Sequence, residues 1–237
     1  MVTNRHRTVD RIAATLDYVA RHPRGLTLSA LAQMLEAPKS SAQSLINGLV
    51  TTGYLVRQGH LYFLGPAPFV LTLLSNPLAS RIRHEDLAQL HQEIGQNVLV
   101  GIQVGDTLVY IDQAGDGAMM EFLAYHHSRR PLLVSATGKI ILANLPSREL
   151  QGLLSEFAKV NPSGVDEFVA ELPEISRTGV AYNRGGTIPG LYAAATGLFD
   201  AQGRFIAGIC VNGGLEIADD LEVISKKLVD AVRSWRM

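Results

Sequence analysis

Apolar positions recur at helical spacing over three short stretches at the front of the chain. Val9, Ile12, Ala13, Leu16, Val19 and Ala20 share one helix face, which Thr8 is placed to cap and His22-Pro23-Arg24-Gly25 ends. Leu26, Leu28, Leu31, Ala32 and Leu35 mark a second, shorter helix. It opens near Thr27 or Ser29, whose hydroxyls can accept from first-turn amides, and stops at Ala37-Pro38. A third begins within Pro38 to Ser40, buries Ala42, Leu45, Ile46, Leu49 and Val50, and ends at Thr52-Gly53. The period then drops to that of a strand. Tyr54-Leu55-Val56-Arg57, a Gln58-Gly59-His60 turn and Leu61-Tyr62-Phe63-Leu64 predict a hairpin. Three helices and a hairpin make a winged helix-turn-helix over residues 1–66.

Phe69 to Leu74 and Leu78 to Ile94 predict helices of a linker over 67–96. From Asn97 the pattern mixes the two periods over 97–237. Val98 to Val104, Thr107 to Gln113 and Met119 to Tyr125 read as strands, the first two joined at Gly105-Asp106. Helices follow at Ser135 to Ala143, Ser147 to Phe157 and Val165 to Arg177. Strands then come at Tyr192 to Phe199 and Phe205 to Val211, and a last amphipathic helix spans Asp219 to Trp235. Antiparallel strand pairs separated by helices predict an α+β rear domain.

Composition narrows the class. With 237 residues, 47% hydrophobic and 18% charged, the chain can bury a core and is neither disordered nor collagen-like. The formal net charge of -1 hides an asymmetry: residues 1–66 carry seven Lys/Arg against three Asp/Glu, the remainder fourteen against nineteen. A basic front suits a polyanion. The single Cys210 precludes an intramolecular disulfide. No apolar stretch approaches the roughly 20 residues of a membrane span. A cytoplasmic protein without a membrane partner is expected.

The polar face of the third helix carries Lys39, Ser40, Ser41, Gln43, Ser44 and Asn47 between buried Ala42, Leu45 and Ile46. Gln43 and Asn47, four apart, point the same way, and amides of this kind can pair with an adenine edge. Lys39, Thr27 and Ser29, near helix starts, suit phosphate. The wing offers Arg57, Gln58 and His60, and Arg5 with Arg7 an N-terminal arm. The plainer reading is a solvated helix face, or a winged helix that docks protein.

At these residues the chain resembles the IclR family of bacterial transcriptional regulators. The front carries the likeness in Thr8-Val9-Asp10-Arg11, Leu28-Ser29-Ala30-Leu31-Ala32, Ala37-Pro38-Lys39-Ser40-Ser41-Ala42, Gly53-Tyr54-Leu55 and Tyr62-Phe63-Leu64-Gly65-Pro66. The rear carries it in Pro131-Leu132, Ser135-Ala136-Thr137-Gly138-Lys139, Leu142-Ala143 and Phe199 to Gly208. The resemblance implies a homodimer, often a dimer of dimers, whose winged domains bind double-stranded operator DNA while a GAF-like α/β domain senses a small metabolite. Four positions depart from the family pattern. Ser44 stands where members usually have a basic residue, Gly185-Gly186 where many have an acidic pair, and Leu133 where a histidine is customary.

Ser135-Ala136-Thr137-Gly138 opens a helix, so its free amides and the Ser135 and Thr137 hydroxyls can receive a carboxylate; equally, Ser135 can simply cap its own helix. Around this helix start we place Met119, Phe122 and Tyr125 from the third strand, Cys210 and Asn212 from the last strand, and Asn183 with Arg184 on a glycine-rich segment. Alternation along a strand prevents all of these from lining one cavity. Met119 and Phe122 also read as core, Cys210 as a small buried hydrophobe and Arg184 as a surface residue.

No cofactor or metal is expected. Asn183 to Gly190 lacks the Gly-Lys-Ser/Thr ending of a phosphate loop, and His126-His127, adjacent on a strand end, point to opposite sides. No Gly-x-Ser-x-Gly elbow occurs. The expectation is therefore a regulator rather than an enzyme, controlled by a small organic acid, aromatic acids included. The alternative is a winged-helix protein-interaction module with a vestigial or unliganded sensor domain.

Overall fold

The computed structural model describes residues 6–75, 82–116, 128–186 and 188–235. The chain divides into two compact units, Met1–Pro77 and Leu78–Met237, so the linker expected over 67–96 is split between them.

In the first unit, α1 (Arg7–Ala20), α2 (Leu28–Met34) and α3 (Lys39–Thr51) pack with a three-stranded antiparallel sheet ordered β1 (Leu26–Thr27), β3 (Leu61–Leu64), β2 (Leu55–Gln58). Much of the expected seam is the core: Val19, Leu31, Ala32, Ala42, Ile46 and Leu49 are buried with Leu55 and Tyr62 of the hairpin, whereas Val9, Ala13 and Ala20, expected on the apolar face of α1, are exposed. Thr8 is not the cap of α1. The helix begins two residues earlier than that cap would set it, with His6 at the cap position and no side-chain bond there, which also puts Arg7 in the first helical turn rather than in an arm. Arg5 lies outside the described residues. Thr27 does cap α2, its Oγ1 accepting from the Ala30 amide at 3.1 Å. After α3, Gly53 takes φ +77°, the left-handed conformation that lets the chain turn into β2. Helix α4 (Ala67–Ser75) completes the unit.

The second unit is built on a six-stranded antiparallel sheet. Its order is β6 (Arg129–Pro131), β5 (Thr107–Ala114), β4 (Asn97–Val104), β9 (Phe205–Gly213), β8 (Tyr192–Phe199), β7 (Val180–Arg184). One face, with Val98, Val100, Ile209 and Val211, packs on α5 (His84–Ile94) and α9 (Leu221–Ser234). The other, with Leu99, Leu108, Tyr110, Ala181, Ala193 and Cys210, packs on α6 (Ala136–Ala143), α7 (Ser147–Phe157) and α8 (Pro162–Thr178). Helix α6 lies innermost, with every residue from Ala136 to Leu142 buried.

Strands β1, β6 and β7 were not read from the sequence; Leu26, expected with the second helix, pairs in β1 with Tyr62 of β3. Asn183 and Arg184 lie in β7, not on a glycine-rich loop; Gly179 ends α8 at φ +71° and sends the chain straight back along the sheet edge. The third strand expected at Met119 to Tyr125, with Phe122, and His126-His127 after it, lies outside the described residues.

Candidate nucleic-acid interface and effector cavity

Helix α3 presents its polar face as expected. Lys39, Ser40, Ser41, Ser44 and Asn47 are exposed, and Gln43 is half-buried. Gln43 Nε2 donates to Asn47 Oδ1 at 2.8 Å and approaches the Tyr62 hydroxyl at 3.5 Å. The two amides therefore form one unit, braced from β3. Tyr62 ties in the wing as well: Arg57 lies across from it in the β2–β3 register, its guanidinium 6.0 Å from the ring centre, and Arg57 Nε donates to the Gly59 carbonyl at 2.8 Å. His60 is exposed at the hairpin turn.

The helix starts differ. No side chain caps α3 at Pro38, so its first-turn amides stand open beside Lys39, a geometry suited to phosphate. Thr27 caps α2 as an acceptor, which leaves its hydroxyl proton, like that of exposed Ser29, free to donate to a phosphate.

In the second unit, Ser135, Ala136, Asn183, Cys210 and Asn212 surround a single cavity of about 40 Å³. Strand register explains the grouping. Asn212 pairs with Ala193 and Ala193 with Asn183, so these side chains fall on the same sheet face as Cys210, two residues along β9. That face carries the start of α6 because two strands give way to it. A Cβ on Gly101 of β4 or on Gly208 of β9 would stand 2.7 Å from Thr137 Cγ2. The two glycines seat Thr137 between them.

Two expected residues do not line this cavity. Thr137 is fully buried beneath it, its hydroxyl 3.2 Å from that of Tyr110. Arg184 is on the other face of β7 from Asn183; its guanidinium lies 5.1 Å from the Tyr182 ring centre and 3.8 Å from Glu222 on α9. Met119 and Tyr125 lie outside the described residues. Ser135 caps its own helix, accepting from the Gly138 amide at 3.0 Å. Its hydroxyl in turn donates to the Pro131 carbonyl at 3.4 Å, so it serves as a wall and a cap, not as a free donor.

The sequence reading missed Tyr110 and Arg130. Both line the cavity, together with Ile188 and Leu191. Arg130 pairs with Leu108 across β6 and β5, which turns it to the face of Leu108 and Tyr110. Only strand pairing between distant segments reveals that. Burial, and then neighbouring Cys210, push the Tyr110 phenol well above its ordinary value, so it remains a neutral hydroxyl. Burial likewise raises the Cys210 thiol to about 11, against the lowering effect of Thr137 and Asn212, which makes it a poor nucleophile. Asn212 is 3% exposed, and its Oδ1 finds no hydrogen-bond donor.

A larger open groove of about 440 Å³ runs beside β7 and α8. Its cations are engaged, Lys139 with Glu171 at 2.6 Å and Arg184 with Glu222 at 3.8 Å, and Glu167 and Glu174 also line it, so its charge disfavours an anion. Among the described residues no group of three His, Cys, Asp or Glu could hold a metal, and no helix is long and apolar enough to cross a membrane.

Comparison with known proteins agrees with this layout. The profile of the IclR helix-turn-helix domain matches residues 8–59, and that of the bacterial transcriptional regulator IclR C-terminal domain matches residues 73–235. The chain is 28% identical to the HTH-type transcriptional regulator TtgV of Pseudomonas putida over 94% of its length and 88% of TtgV. It is 27% identical to BhcR of Paracoccus denitrificans, over 96% and 85%. Among solved structures, an IclR transcriptional regulator from Alicyclobacillus acidocaldarius has a TM-score of 0.69 at 21% identity, covering 96% of both chains. An IclR homologue from Microbacterium hydrocarbonoxydans, complexed with 4-hydroxybenzoate, has a TM-score of 0.67 at 18% identity, covering 96% of this chain and all of that one. Winged front unit and layered α/β rear unit together make this chain a member of the IclR family of DNA-binding transcriptional regulators.

Proposed function

We propose that a small organic acid, held in the cavity at the start of α6, controls how tightly this regulator binds its operator. The observation that carries the reading is the convergence on one cavity of a helix N-terminus, Arg130 and the amides of Asn183 and Asn212. A positive helix end and a guanidinium favour a carboxylate, while the amides fix its orientation. The complex of the Microbacterium hydrocarbonoxydans homologue with 4-hydroxybenzoate supports an acid as ligand class.

On the DNA side, Gln43 and Asn47 read base edges in the major groove as a coupled pair. Lys39, Ser40, Ser41, Ser44 and Ser29 meet phosphates, and Arg57 and His60 of the wing follow the backbone. The protein acts as a homodimer or a dimer of dimers on a two-fold operator. Exposed Phe69, Leu71, Leu73 and Leu74 of α4, an apolar patch beyond what a solvated helix needs, support self-association. Control follows from linkage: the acid shifts operator occupancy only by the difference between its affinities for the two conformations.

Selection from random duplexes, then anisotropy titrations with and without candidate acids over a range of salt, tests the reading. A symmetric site with salt-dependent affinity that an acid shifts is expected. If selection enriches no duplex, the DNA reading fails; if acids bind without moving operator affinity, the control reading fails.

A further inference from the structure

The cavity is unusual in having a buried acceptor that nothing satisfies. Asn212 is 3% exposed, lies on the cavity wall and leaves its Oδ1 without a donor. Such an oxygen costs stability unless a ligand donates to it. The same cavity has a cation at Arg130, half-buried and paired in register with Leu108 so that it faces the ligand side of the sheet. A fitting ligand thus presents a hydroxyl to Asn212 and a carboxylate to Arg130 and the α6 amides.

Size sets the scale. A cavity of about 40 Å³ has room for roughly three water-sized atoms, whereas a cavity that takes an aromatic ring runs to about 150 Å³. The buried part therefore accepts the hydroxyl and its carbon, with the carboxylate beside Arg130.

We infer that the effector is a short aliphatic hydroxycarboxylate of two to four carbons, recognised by its hydroxyl at Asn212. The inference rests on the proposal that this cavity is the effector site, and it replaces the aromatic option with an aliphatic one.

Titration calorimetry of the full chain with sodium glycolate and sodium acetate, and with lactate and propionate, tests it. Each pair differs by the hydroxyl alone. Glycolate and lactate are expected to bind roughly 5- to 100-fold tighter than their partners. In Asn212→Leu, checked for folding by its thermal transition, both members of a pair should bind alike. Arg130→Gln should weaken both members equally. Equal affinity for acetate and glycolate in the unmodified protein overturns the hydroxyl assignment while leaving the acid-effector reading intact. Binding of 4-hydroxybenzoate in preference to all four acids overturns the size argument and likewise leaves that reading standing. No binding of any acid by a protein that still binds its selected duplex overturns both.

Discussion

The seat of α6 on the sheet is the contact on which the cavity depends, and it can be tested by a reciprocal pair of changes. A methyl at Gly208 would stand 2.7 Å from Thr137 Cγ2, against about 3.5–4.0 Å for a relaxed carbon contact. About 1 Å must be found, either by lifting the start of α6 or by turning Thr137 away from Tyr110. Overpacking of this kind costs about 1–3 kcal/mol. Gly208 does not have a positive φ, so alanine itself is conformationally acceptable, and reduced freedom in the unfolded chain returns about 0.4–1 kcal/mol. The expected net loss for Gly208→Ala is about 1–2 kcal/mol. Thr137→Ser removes the offending methyl while keeping the hydroxyl that meets Tyr110, at a cost of about 1 kcal/mol. In the double variant the new methyl fills the vacated space, so the loss should be below about 1 kcal/mol, far less than the two single losses together. The assay is urea unfolding followed by Trp235 fluorescence at fixed protomer concentration. Trp235 is the only tryptophan and packs in the core of the second unit, so the signal reports that unit alone. Losses that add within about 0.5 kcal/mol would refute the idea that Thr137 is seated by the glycines.

Three further outcomes follow from the same structure. Gln43→Ala and Asn47→Ala should each relax base preference at the same operator positions, with the double change little worse than either, because the two amides are bonded at 2.8 Å; Lys39→Ala should weaken all duplexes alike and reduce the salt slope by about one. The Cys210 thiol, raised by burial from 9.0 to about 11, is neutral in the fold, so above pH 9 the unfolded chain ionises first. Stability of the second unit should therefore fall between pH 9 and 11 by about 2 kcal/mol more than in Cys210→Ala, as read by thermal melts; equal slopes would count against it. Glu171→Ala should cost about 1–3 kcal/mol because it leaves the Lys139 ammonium, whose side chain is only 11% exposed, with just a 3.4 Å bond to the Tyr182 carbonyl. Lys139→Met, which leaves a half-exposed carboxylate in water, should cost less in the same urea assay.

What the sequence determined by itself was everything set by neighbours within a few residues. The helices α1, α2 and α3, a hydroxyl cap at the start of α2, the Gly53 stop and the β2–β3 hairpin depend on local periodicity and turn chemistry, and they were legible. So was the pairing of Gln43 with Asn47, one helical turn apart. Where local signals were weak the reading slipped: Thr8 and His6 differ by too little to fix where α1 begins, and Val180–Arg184 was hidden beside a run of glycines.

Tertiary structure alone decided what depends on strands meeting from distant parts of the chain. Ser135, Ala136, Asn183, Cys210 and Asn212 were picked out from the sequence, but only the β7–β8–β9 register brings them to one face, and the same alternation turns Arg184 to the other. Arg130 gave no local signal, because its direction is set by pairing with Leu108, twenty-two positions earlier. Thr137 looked like a donor at an open helix end and is instead the buried peg of that helix, since Gly101 and Gly208 come from separate strands to make room for it. Side-chain period is a local property, but the face to which a side chain is turned is settled only when non-local hydrogen bonds close the sheet.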